Sequence, residues 1–577
     1  MAEERKGKTA EEMALKQRAI GVAEFFAKNK HLLGFDNKRK ALLTTIKEAV
    51  DNSLDACEEA NILPEISVEI IEMGNDRYRI IVEDNGPGIV KEQIPRIFAK
   101  LLYGSKFHSL KQSRGQQGIG ISASVMYGQL TTGRASKVIS KTAPDAPAHH
   151  FELKINTSTN EPEIVDTIVK EWNKEHGTKI QIDIEATYQR GNQSVDEYLK
   201  ETAVVNPHVT IIYTNPKAEQ LIFPRATQET PSLAKEIKPH PHGIELGVFL
   251  KMLEMTGEAT VAQFLTSEFS KVSASIAKTV LEESRVLPRT KPKKISHDEA
   301  EKILVALKEA KIQAPSTDCI SPIGAELLEK GIKKEVNAEF YTSITRPPTV
   351  YKGNPFQIEV ALAYGGEQPK DKSANIMRFA NRVPLLFQQG GCGITKAIQS
   401  LSWKPYGLNQ PSGGLPVGPL TIVVHIASVW VPFTSESKEA IAQYPEILKE
   451  IKLALQEAGR DLAKYTAKKK RVKDELKKRS YIEKYIPHVA TGLKEILNLD
   501  AADEEVIIRN LKEILEMKRG KLDDVEFDPT KNTEYDKDWA SIGKDEEVDD
   551  ENEYEEVDDE TPKKRKSKYD DEVDNDE

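Results

Sequence analysis

The sequence has few of the residues and segments that several large classes of protein require. Its 577 residues include three cysteines, Cys57, Cys319 and Cys392, whose wide spacing matches neither a zinc site nor a disulfide framework. We interpret them as packing residues. There is no apolar run of about 18 residues, and the charged N-terminus lacks the apolar core of a secretory signal. These absences predict a cytoplasmic protein.

The excess of negative charge is confined to the C-terminal end. Residues 521–577 hold 25 Asp and Glu against 9 Lys and Arg, whereas the first 520 residues hold 67 acidic and 73 basic side chains. The body of the protein is therefore mildly basic, which permits phosphate binding without demonstrating it. The acidic tail is poor in apolar residues, so we expect it to be disordered.

The hydrophobic pattern of residues 1–228 predicts an α/β sandwich. Apolar residues within 38–60 recur every three or four positions, as in an amphipathic helix. Alternating segments at 66–72 and 78–83 predict two strands joined by a turn. The order of one helix, strands, a polar loop and more strands indicates a mixed sheet with helices on one face.

A chain of this length exceeds what one hydrophobic core supports, so further domains are expected. Residues 229–318 contain short helical segments and predict a small helical domain. Residues 319–485 combine strands with helices and end in a long charged helix, which predicts a second α/β domain. Two amphipathic segments in 486–520 precede the acidic tail of 521–577.

Glu48 and Asn52 lie four residues apart on the first predicted helix and therefore share one face. A carboxylate in that position can orient or deprotonate a water molecule that attacks a γ-phosphate, and an amide oxygen can bind Mg²⁺. Taken alone, the pair is explained more simply as a solvated helix face.

Asp84 ends the second predicted strand and is followed by Gly86 and Gly88. A carboxylate at a strand end can accept the exocyclic amine of adenine, and glycines let the backbone approach a flat base. An ordinary turn would explain the same three residues.

The third motif consists of glycines directly before a helix, in the order Gly115, Gln116, Gln117, Gly118, Ile119 and Gly120. Its free N–H groups and the following helix N-terminus suit an anion. The motif does not directly follow the first strand of a βαβ unit, so it is not placed as a dinucleotide fingerprint.

The order of these motifs, followed by a strand that opens at Gly177 and Thr178, resembles the nucleotide-binding site of the GHKL ATPases. Longer stretches, KEAVDNSLDACEEA, VEDNGPGI, KLLYGSKFHSLKQSRGQQGIGISASVMYGQL and VPFTSESKEAIA, are similar to the DNA topoisomerase VI B-subunit family. The similarity implies an α+β protein with a GHKL (Bergerat) ATPase domain, a helix–two-turn–helix domain, and a transducer domain of the ribosomal-S5-like type. The function that it implies is that of the ATPase subunit of a type II DNA topoisomerase.

The resemblance also implies roles for individual residues. Glu48 is expected to be the general base, Asn52 the Mg²⁺ ligand, and Asp84 the residue that reads adenine. ATP is expected to contact Asn52, Asp84, Gly86, Gly88, Ser105, Lys106, Gly115, Gln116, Gln117, Gly118, Ile119, Gly120, Ile121, Thr178 and Lys438. Lys438 would act catalytically by contacting the γ-phosphate from the transducer, a role that rests on the resemblance alone.

Trp403, Lys404 and Tyr406 match the WKxY motif with which the family contacts DNA. Lys404 can meet a phosphate while the two aromatic residues fix the loop or pack along the DNA backbone. An aromatic pair that only anchors a loop is the alternative. Residues 188–192, where some members of the family carry a basic loop, hold one cation here, so a DNA contact is not expected there.

The partners implied by the resemblance are double-stranded DNA and a separate A subunit that carries the cleavage tyrosine. ATP binding would dimerise two copies around a duplex within an A2B2 heterotetramer, with the segment before Ile20 exchanged as a strap. The amphipathic region between Tyr481 and Met517 is the expected docking site for the A subunit. A gyrase-type B chain, a sensor histidine kinase, a MutL-like repair ATPase and a scaffold that binds ATP without turnover are the alternatives.

Overall fold

The computed structural model describes residues 13–519 except 16, 18, 107, 108, 116, 117, 436 and 499. The predicted acidic tail and most of the predicted strap therefore lie outside the described residues, as do Gln116 and Gln117. The chain divides into two compact units between Arg471 and Val472. No helix in the described part of the chain combines the length and apolar character that crossing a membrane requires.

The helices and strands agree closely with the periodicity of the sequence. The helices are α1 (Val22–Lys28), α2 (Lys38–Glu59), α3 (Ile94–Ala99), α4 (Gly120–Thr132), α5 (Val195–Val205), α6 (Leu246–Met255), α7 (Val261–Glu268), α8 (Ala274–Glu283), α9 (His297–Glu309), α10 (Ala325–Glu335), α11 (Gly393–Ser400), α12 (Pro445–Leu497) and α13 (Ala501–Arg519). The strands are β1 (Glu65–Gly74), β2 (Arg77–Asp84), β3 (Ser136–Lys141), β4 (Ala148–Asn156), β5 (Glu161–Lys170), β6 (Gly177–Glu185), β7 (Thr210–Thr214), β8 (Gln220–Phe223), β9 (Phe340–Thr345), β10 (Thr349–Tyr351), β11 (Asn354–Tyr364), β12 (Asn375–Ala380), β13 (Val383–Pro384) and β14 (Leu420–Ser428).

The first sheet has eight strands in the order β5-β4-β3-β6-β2-β1-β7-β8. It is mixed, because β1 pairs with β7 in parallel while its pairing with β2 is antiparallel. Alternate residues of β2 are buried, so one face of the sheet carries the core. The buried sides of α2, α4 and α5 share that core with the strands. This arrangement has the predicted helices on one face of a mixed sheet.

Helices α6 to α9 form a small helical region with a hydrophobic core of its own. Three of these helices, α7, α8 and α9, begin after a Thr or Ser whose side chain accepts a backbone hydrogen bond. Ser296, for example, accepts a hydrogen bond from the Glu299 backbone N–H at 3.3 Å, and the Glu299 carboxylate bonds back to the Ser296 backbone N–H at 2.8 Å. Such a capping box stabilises the start of α9.

The second sheet has the strand order β10-β11-β14-β12-β13, with β9 paired to β11. Every residue of β14 is buried, which places this strand in the middle of the domain. One face of the sheet packs against the buried side of the first part of α12. The other face shares a cluster with α10 and with Val204 and Val205 of α5, so the two α/β domains are in direct hydrophobic contact.

The predicted boundary between the long charged helix and the amphipathic pair differs from the structure. The long helix does not end near Tyr485, because α12 continues through Pro487 to Leu497. The first member of the predicted pair is therefore the end of α12, and the second is α13. A proline within a helix removes one backbone donor but does not always end the helix, which is why the sequence misplaced this boundary.

Candidate functional site

Helix α2 brings two predicted site residues to one cavity. The Asn37 side chain accepts a hydrogen bond from the Lys40 backbone N–H at 2.8 Å and begins the helix. The apolar side of α2 is buried against the sheet. Glu48 and Asn52 line a cavity on another side, where Glu48 is half-buried and Asn52 is exposed. As their spacing of four residues predicted, both side chains therefore lie on one face of the helix.

The carboxylate of Glu48 lies against the start of α4. A Cβ atom added to Gly120 would be 1.7 Å from Glu48 Oε2, so the carboxylate occupies the space that any side chain at this position would need. Gly118, two residues earlier, has a φ of 58°. The first N–H groups of a helix have no intrahelical partner, so the start of α4 can receive an anion beside Glu48.

Asp84 is held at the end of β2 by three hydrogen bonds. Ser53 Oγ donates to Oδ2 at 2.7 Å, and the backbone N–H groups of Gly86 and Thr178 donate to Oδ1 at 2.9 and 3.1 Å. Burial raises the pKa of Asp84 overall, although these donors act in the opposite direction. Ser53 was not among the site residues predicted from the sequence, although it directly follows Asn52.

Two glycines around Asp84 permit backbone contacts that a side chain would prevent. Gly88 has a φ of 71°, and a Cβ atom there would be 2.0 Å from the carbonyl oxygen of Lys141. Gly177 has a φ of 139°, and its Cβ atom would be 2.2 Å from the carbonyl oxygen of Asp84. Gly88 lines the cavity, whereas Gly86 acts through its N–H group on Asp84 and does not line it.

Lys106, in the loop before α4, points towards carboxylates of α2. Its Nζ atom is 2.7 Å from Asp55 Oδ2 and 3.3 Å from Glu59 Oε1. Burial alone would lower the pKa of Lys106, but these two carboxylates raise it overall. Lys106 and Ser105 both line the cavity.

Arg114, later in the same loop, belongs to a buried ionic network that the sequence did not reveal. Its guanidinium donates to Asp55 Oδ1 at 2.7 Å and to both carboxylate oxygens of Glu58 at 2.6 and 2.8 Å. His208 Nε2 is 2.8 Å from Glu58, and an Arg382 nitrogen of the second α/β domain is 3.9 Å from it. Burial alone would raise the pKa of Glu58, but Arg114 and His208 hold it well below its usual range.

Lys438 reaches the cavity from the second α/β domain. Its Nζ atom donates a hydrogen bond to the carbonyl oxygen of Arg114 at 3.3 Å. Burial lowers the pKa of Lys438, although the nearby carboxylate of Glu48 acts against that shift. Lys438 and Glu48 therefore line the same cavity, an arrangement that only the family resemblance implied.

The cavity has a volume of about 870 Å³. Predicted catalytic and nucleotide-binding residues from five separate segments line it: Glu48, Asn52, Asp84, Gly88, Ser105, Lys106, Gly115, Gly118, Ile119, Gly120, Ile121, Thr178 and Lys438. A strand-end carboxylate lies at one part of this space, and a helix N-terminus with a carboxylate and an ammonium lies at another. The arrangement suits a ligand with a polar flat ring and a chain of phosphates.

Two family models match the chain. The one described as histidine kinase-, DNA gyrase B-, and HSP90-like ATPase matches residues 37–193, and the one described as topoisomerase VI B subunit, transducer, matches residues 315–478. The B subunit of type 2 DNA topoisomerase 6 from Methanococcoides burtonii is 54% identical over 500 residues, which cover 86% of this chain and 80% of the relative. The chain belongs to the topoisomerase VI B-subunit family.

Two other relatives of the same name extend this comparison. The protein from Archaeoglobus fulgidus is 48% identical over 508 residues, covering 88% of this chain and 84% of the relative. The protein from Pyrococcus furiosus is 40% identical over 524 residues, covering 82% of this chain and 90% of the relative. The family resemblance inferred from the motifs is confirmed, and so is the fold class with a GHKL-type ATPase domain and a transducer.

The three residues of the WKxY motif differ in accessibility within this member of the family. Trp403 has no exposed surface, and its Nε1 donates a hydrogen bond to the carbonyl oxygen of Ile398 at 2.9 Å. The prediction that the Trp403 side chain contacts DNA is therefore wrong, because a fully buried side chain cannot touch a duplex. Lys404 is exposed, and Tyr406 is partly exposed with its ring at 5.8 Å from the Trp403 ring.

Proposed function

We propose that this chain is the ATP-hydrolysing subunit of topoisomerase VI. In this proposal, ATP turnover drives the passage of one DNA duplex through a double-strand break that a separate A subunit makes, which relaxes supercoils and decatenates DNA. The observation that supports it most directly is that Glu48 of the ATPase domain and Lys438 of the transducer line one cavity. A ligand bound between two domains can favour the arrangement that it binds more tightly.

ATP hydrolysis at this site needs a general base, groups that hold the phosphates, and a group that recognises adenine. Glu48 takes a proton from the water that attacks the γ-phosphorus, and ADP and phosphate are the products. The N–H groups at the start of α4 hold phosphate oxygens, and Lys438 donates to the γ-phosphate. The Asp84 carboxylate, oriented by Ser53 and by backbone donors, accepts the exocyclic amine of adenine.

The donors in the cavity fit Mg²⁺ bound together with a nucleotide. The Asn52 side chain is exposed in the cavity, and a Cβ atom on Gly115 would be 3.8 Å from its Oδ1 atom. Mg²⁺ in such sites takes one or two protein oxygens and completes its coordination with phosphates and water. Asn52 would hold the ion, which supplies positive charge near the phosphates.

We further propose that ATP binding joins two copies of the chain around a DNA duplex. The segment before Ile20 would be exchanged between the copies. Lys404 and Tyr406, which have exposed surface on the transducer, would contact the duplex, with the Lys404 ammonium meeting a phosphate. Trp403 would only support the loop that presents them.

The second compact unit carries the proposed docking surface for the A subunit. Exposed apolar side chains lie on the end of α12, where three of them are spaced by four residues, and others lie on α13. They are Tyr481, Ile482, Tyr485, Val489, Ile496, Leu497, Val506, Ile514 and Met517. Exposed apolar surface of this extent on helices marks an interaction site. Two A and two B subunits would form the A2B2 assembly.

Relaxation of supercoiled DNA with ATP tests the division of labour. The chain is assayed alone, with an A subunit from one of the related organisms, and as the Glu48→Gln variant with that A subunit. We expect relaxation only with the unaltered chain and the A subunit together. Glu254→Gln, an exposed carboxylate on α6, serves as the control and should behave as the unaltered chain. Relaxation by this chain alone, or by the Glu48→Gln mixture at the normal rate, would refute the proposal.

A further inference from the structure

Glu439, the residue directly after Lys438, is bonded to residues of both the ATPase domain and the transducer. Its buried carboxylate forms an ion pair with Lys40 Nζ, which belongs to helix α2 of the ATPase domain. The same carboxylate accepts a hydrogen bond from Gln388 Nε2 of the transducer at 2.7 Å. A transducer carboxylate is thereby tied to the helix that carries Glu48.

The position of Lys40 on α2 connects this pair to the site. Lys40, Thr44 and Glu48 are spaced by four residues, lie along one side of the helix and line the cavity. Lys40 is about 12 Å from Glu48 along the helix axis, at roughly 1.5 Å per residue. The Lys40–Glu439 pair therefore holds the loop that carries Lys438 from outside the proposed phosphate end of the pocket. The pair itself does not occupy that end.

The backbone of Lys438 is in a conformation that needs support. Its φ is 53°, in the left-handed region that a residue with a Cβ atom seldom adopts. Such a conformation persists where the surrounding contacts hold it in place. The backbone N–H of Lys438 donates to the carbonyl oxygen of Ser435 at 3.0 Å, and the next residue adds the Glu439 carboxylate, fixed by Lys40 and Gln388.

The ammonium of Lys40 is well suited to this contact. Its Nζ atom also lies 3.1 Å from Asp36 Oδ1 and 5.2 Å from the centre of the Phe387 ring. Burial alone would lower the pKa of Lys40, but Glu439 and Asp36 raise it overall. The side chain is 13% exposed, so solvent competes little for the ion pair.

We propose that the Lys40–Glu439 ion pair is a latch that positions Lys438 in the nucleotide pocket. Glu439 is a positioning residue, since it acts through the loop that carries Lys438 and not on the nucleotide. The proposal rests on the proposed role of Lys438 in ATP hydrolysis. Breaking the latch leaves Asp84, Asn52 and the start of α4 in place, so ATP binding persists while turnover slows.

A thiol at position 438 reports the position of the loop independently of catalysis. The natural cysteines are all buried, so in the full-length Lys438→Cys variant the new thiol is the one that reacts readily. We expect Glu439→Gln in this background to raise the rate of maleimide labelling roughly tenfold, because the loop leaves the pocket more often. Glu450→Gln, which removes a transducer carboxylate paired with Arg346, is the matched control and should leave the rate unchanged.

Steady-state kinetics in the otherwise natural chain give the second readout. We expect Glu439→Gln to lower kcat for ATP roughly tenfold, which is about 1.4 kcal/mol of transition-state stabilisation, with less than about a threefold change in KM. Lys40→Met keeps the apolar stem of the side chain and should have the same effect. It replaces Glu439→Gln in both measurements if that variant fails to fold, as judged by thermal unfolding.

Each result decides one claim. An unchanged labelling rate in the Glu439→Gln background overturns the latch, whatever the ATPase rate. Faster labelling with an unchanged kcat overturns the positioning role. Full turnover by Lys438→Ala would instead refute the proposed function of that lysine, and the labelling rate would still test the latch.

Discussion

Lys438 Nζ donates a hydrogen bond to the carbonyl oxygen of Arg114, 3.3 Å away, and so joins the transducer to the loop that precedes α4. Arg114 is itself clamped by Asp55 and Glu58 on the helix of the proposed general base. The proposed γ-phosphate contact is therefore already close to the loop that would wrap the phosphates. A change at the phosphate end of the pocket can be transmitted to the transducer through this contact.

The charge on Lys438 should limit ATP turnover at high pH. Burial lowers its pKa from the ordinary value of 10.5. A lysine loses its charge as pH rises through its pKa, so the cation needed by a phosphate is lost at a lower pH than for an exposed lysine. We expect kcat/KM for ATP, which reports the free enzyme, to fall on the alkaline side below pH 10.5.

The Lys438→Arg variant provides the comparison for that pH profile. A guanidinium stays protonated throughout the accessible range, so the alkaline fall should disappear even if the overall rate is lower. Circular dichroism at each pH separates loss of activity from unfolding. An alkaline limb that is identical in the two proteins would contradict the assignment of the charge to Lys438.

Replacing Glu48 by Gln should remove hydrolysis and spare nucleotide binding. The amide has the shape of the carboxylate but cannot accept a proton from water, and loss of a general base typically costs about 10²- to 10⁴-fold in rate. Radiolabelled ATP hydrolysis measures the rate, and equilibrium dialysis with a non-hydrolysable analogue measures binding. A variant that binds poorly but turns over at the normal maximal rate would assign Glu48 to binding.

The parts of this site that follow from local spacing could be predicted from the sequence. Glu48 and Asn52 share a side of α2 because helical geometry places residues four apart together. The glycine motif likewise marks a helix start. The order of these motifs carried the resemblance to the GHKL ATPases, and the longer similar stretches carried the resemblance to the topoisomerase VI B subunits.

Contacts across long stretches of chain could not be predicted in the same way. Residue spacing did not place Lys438 in the cavity that Glu48 lines or join Arg114 to Glu58, because tertiary packing decides both arrangements. The WKxY motif was found, but the burial of Trp403 depends on packing inside the transducer core. Pattern identifies candidate residues, whereas packing decides which of them can reach a ligand.

Two glycine substitutions should separate catalysis from folding. A Cβ atom at Gly120 would meet the end of the flexible Glu48 side chain, 1.7 Å from Oε2, so Gly120→Ala should displace the base without unfolding the domain. A Cβ atom at Gly88 would be 2.0 Å from the backbone oxygen of Lys141 at a φ of 71°. Backbone cannot yield in the same way, so Gly88→Ala should destabilise the domain by more than about 1 kcal/mol.

Thermal unfolding and ATP hydrolysis of the two glycine variants distinguish these outcomes. We expect Gly120→Ala to unfold within a few degrees of the natural protein while its turnover falls at least about tenfold. Gly88→Ala should show a clearly lower unfolding midpoint. Normal turnover by Gly120→Ala would mean that the Glu48 carboxylate functions elsewhere than in the position that it occupies against α4.

Lys404 and Trp403 should give opposite results in stability and DNA-binding measurements. Lys404 is exposed, so Lys404→Ala should change the free energy of unfolding by no more than about 0.5 kcal/mol. If its ammonium meets a phosphate, the variant should bind duplex DNA more weakly and reduce the salt slope of binding by about one. Trp403→Ala should cost about 3–5 kcal/mol of stability, because it removes a fully buried ring and its hydrogen bond.

The two roles are separated by Trp403→Phe, which retains most of the buried volume. We expect this variant to bind DNA with an unchanged salt slope once its folded fraction is taken into account. Fluorescence anisotropy with a short duplex, measured over a range of salt concentrations in the complex with the A subunit, provides the slopes. An unchanged slope in Lys404→Ala together with a reduced slope in Trp403→Phe would contradict both assignments, because a buried indole would then affect a charge contact that the exposed lysine does not make.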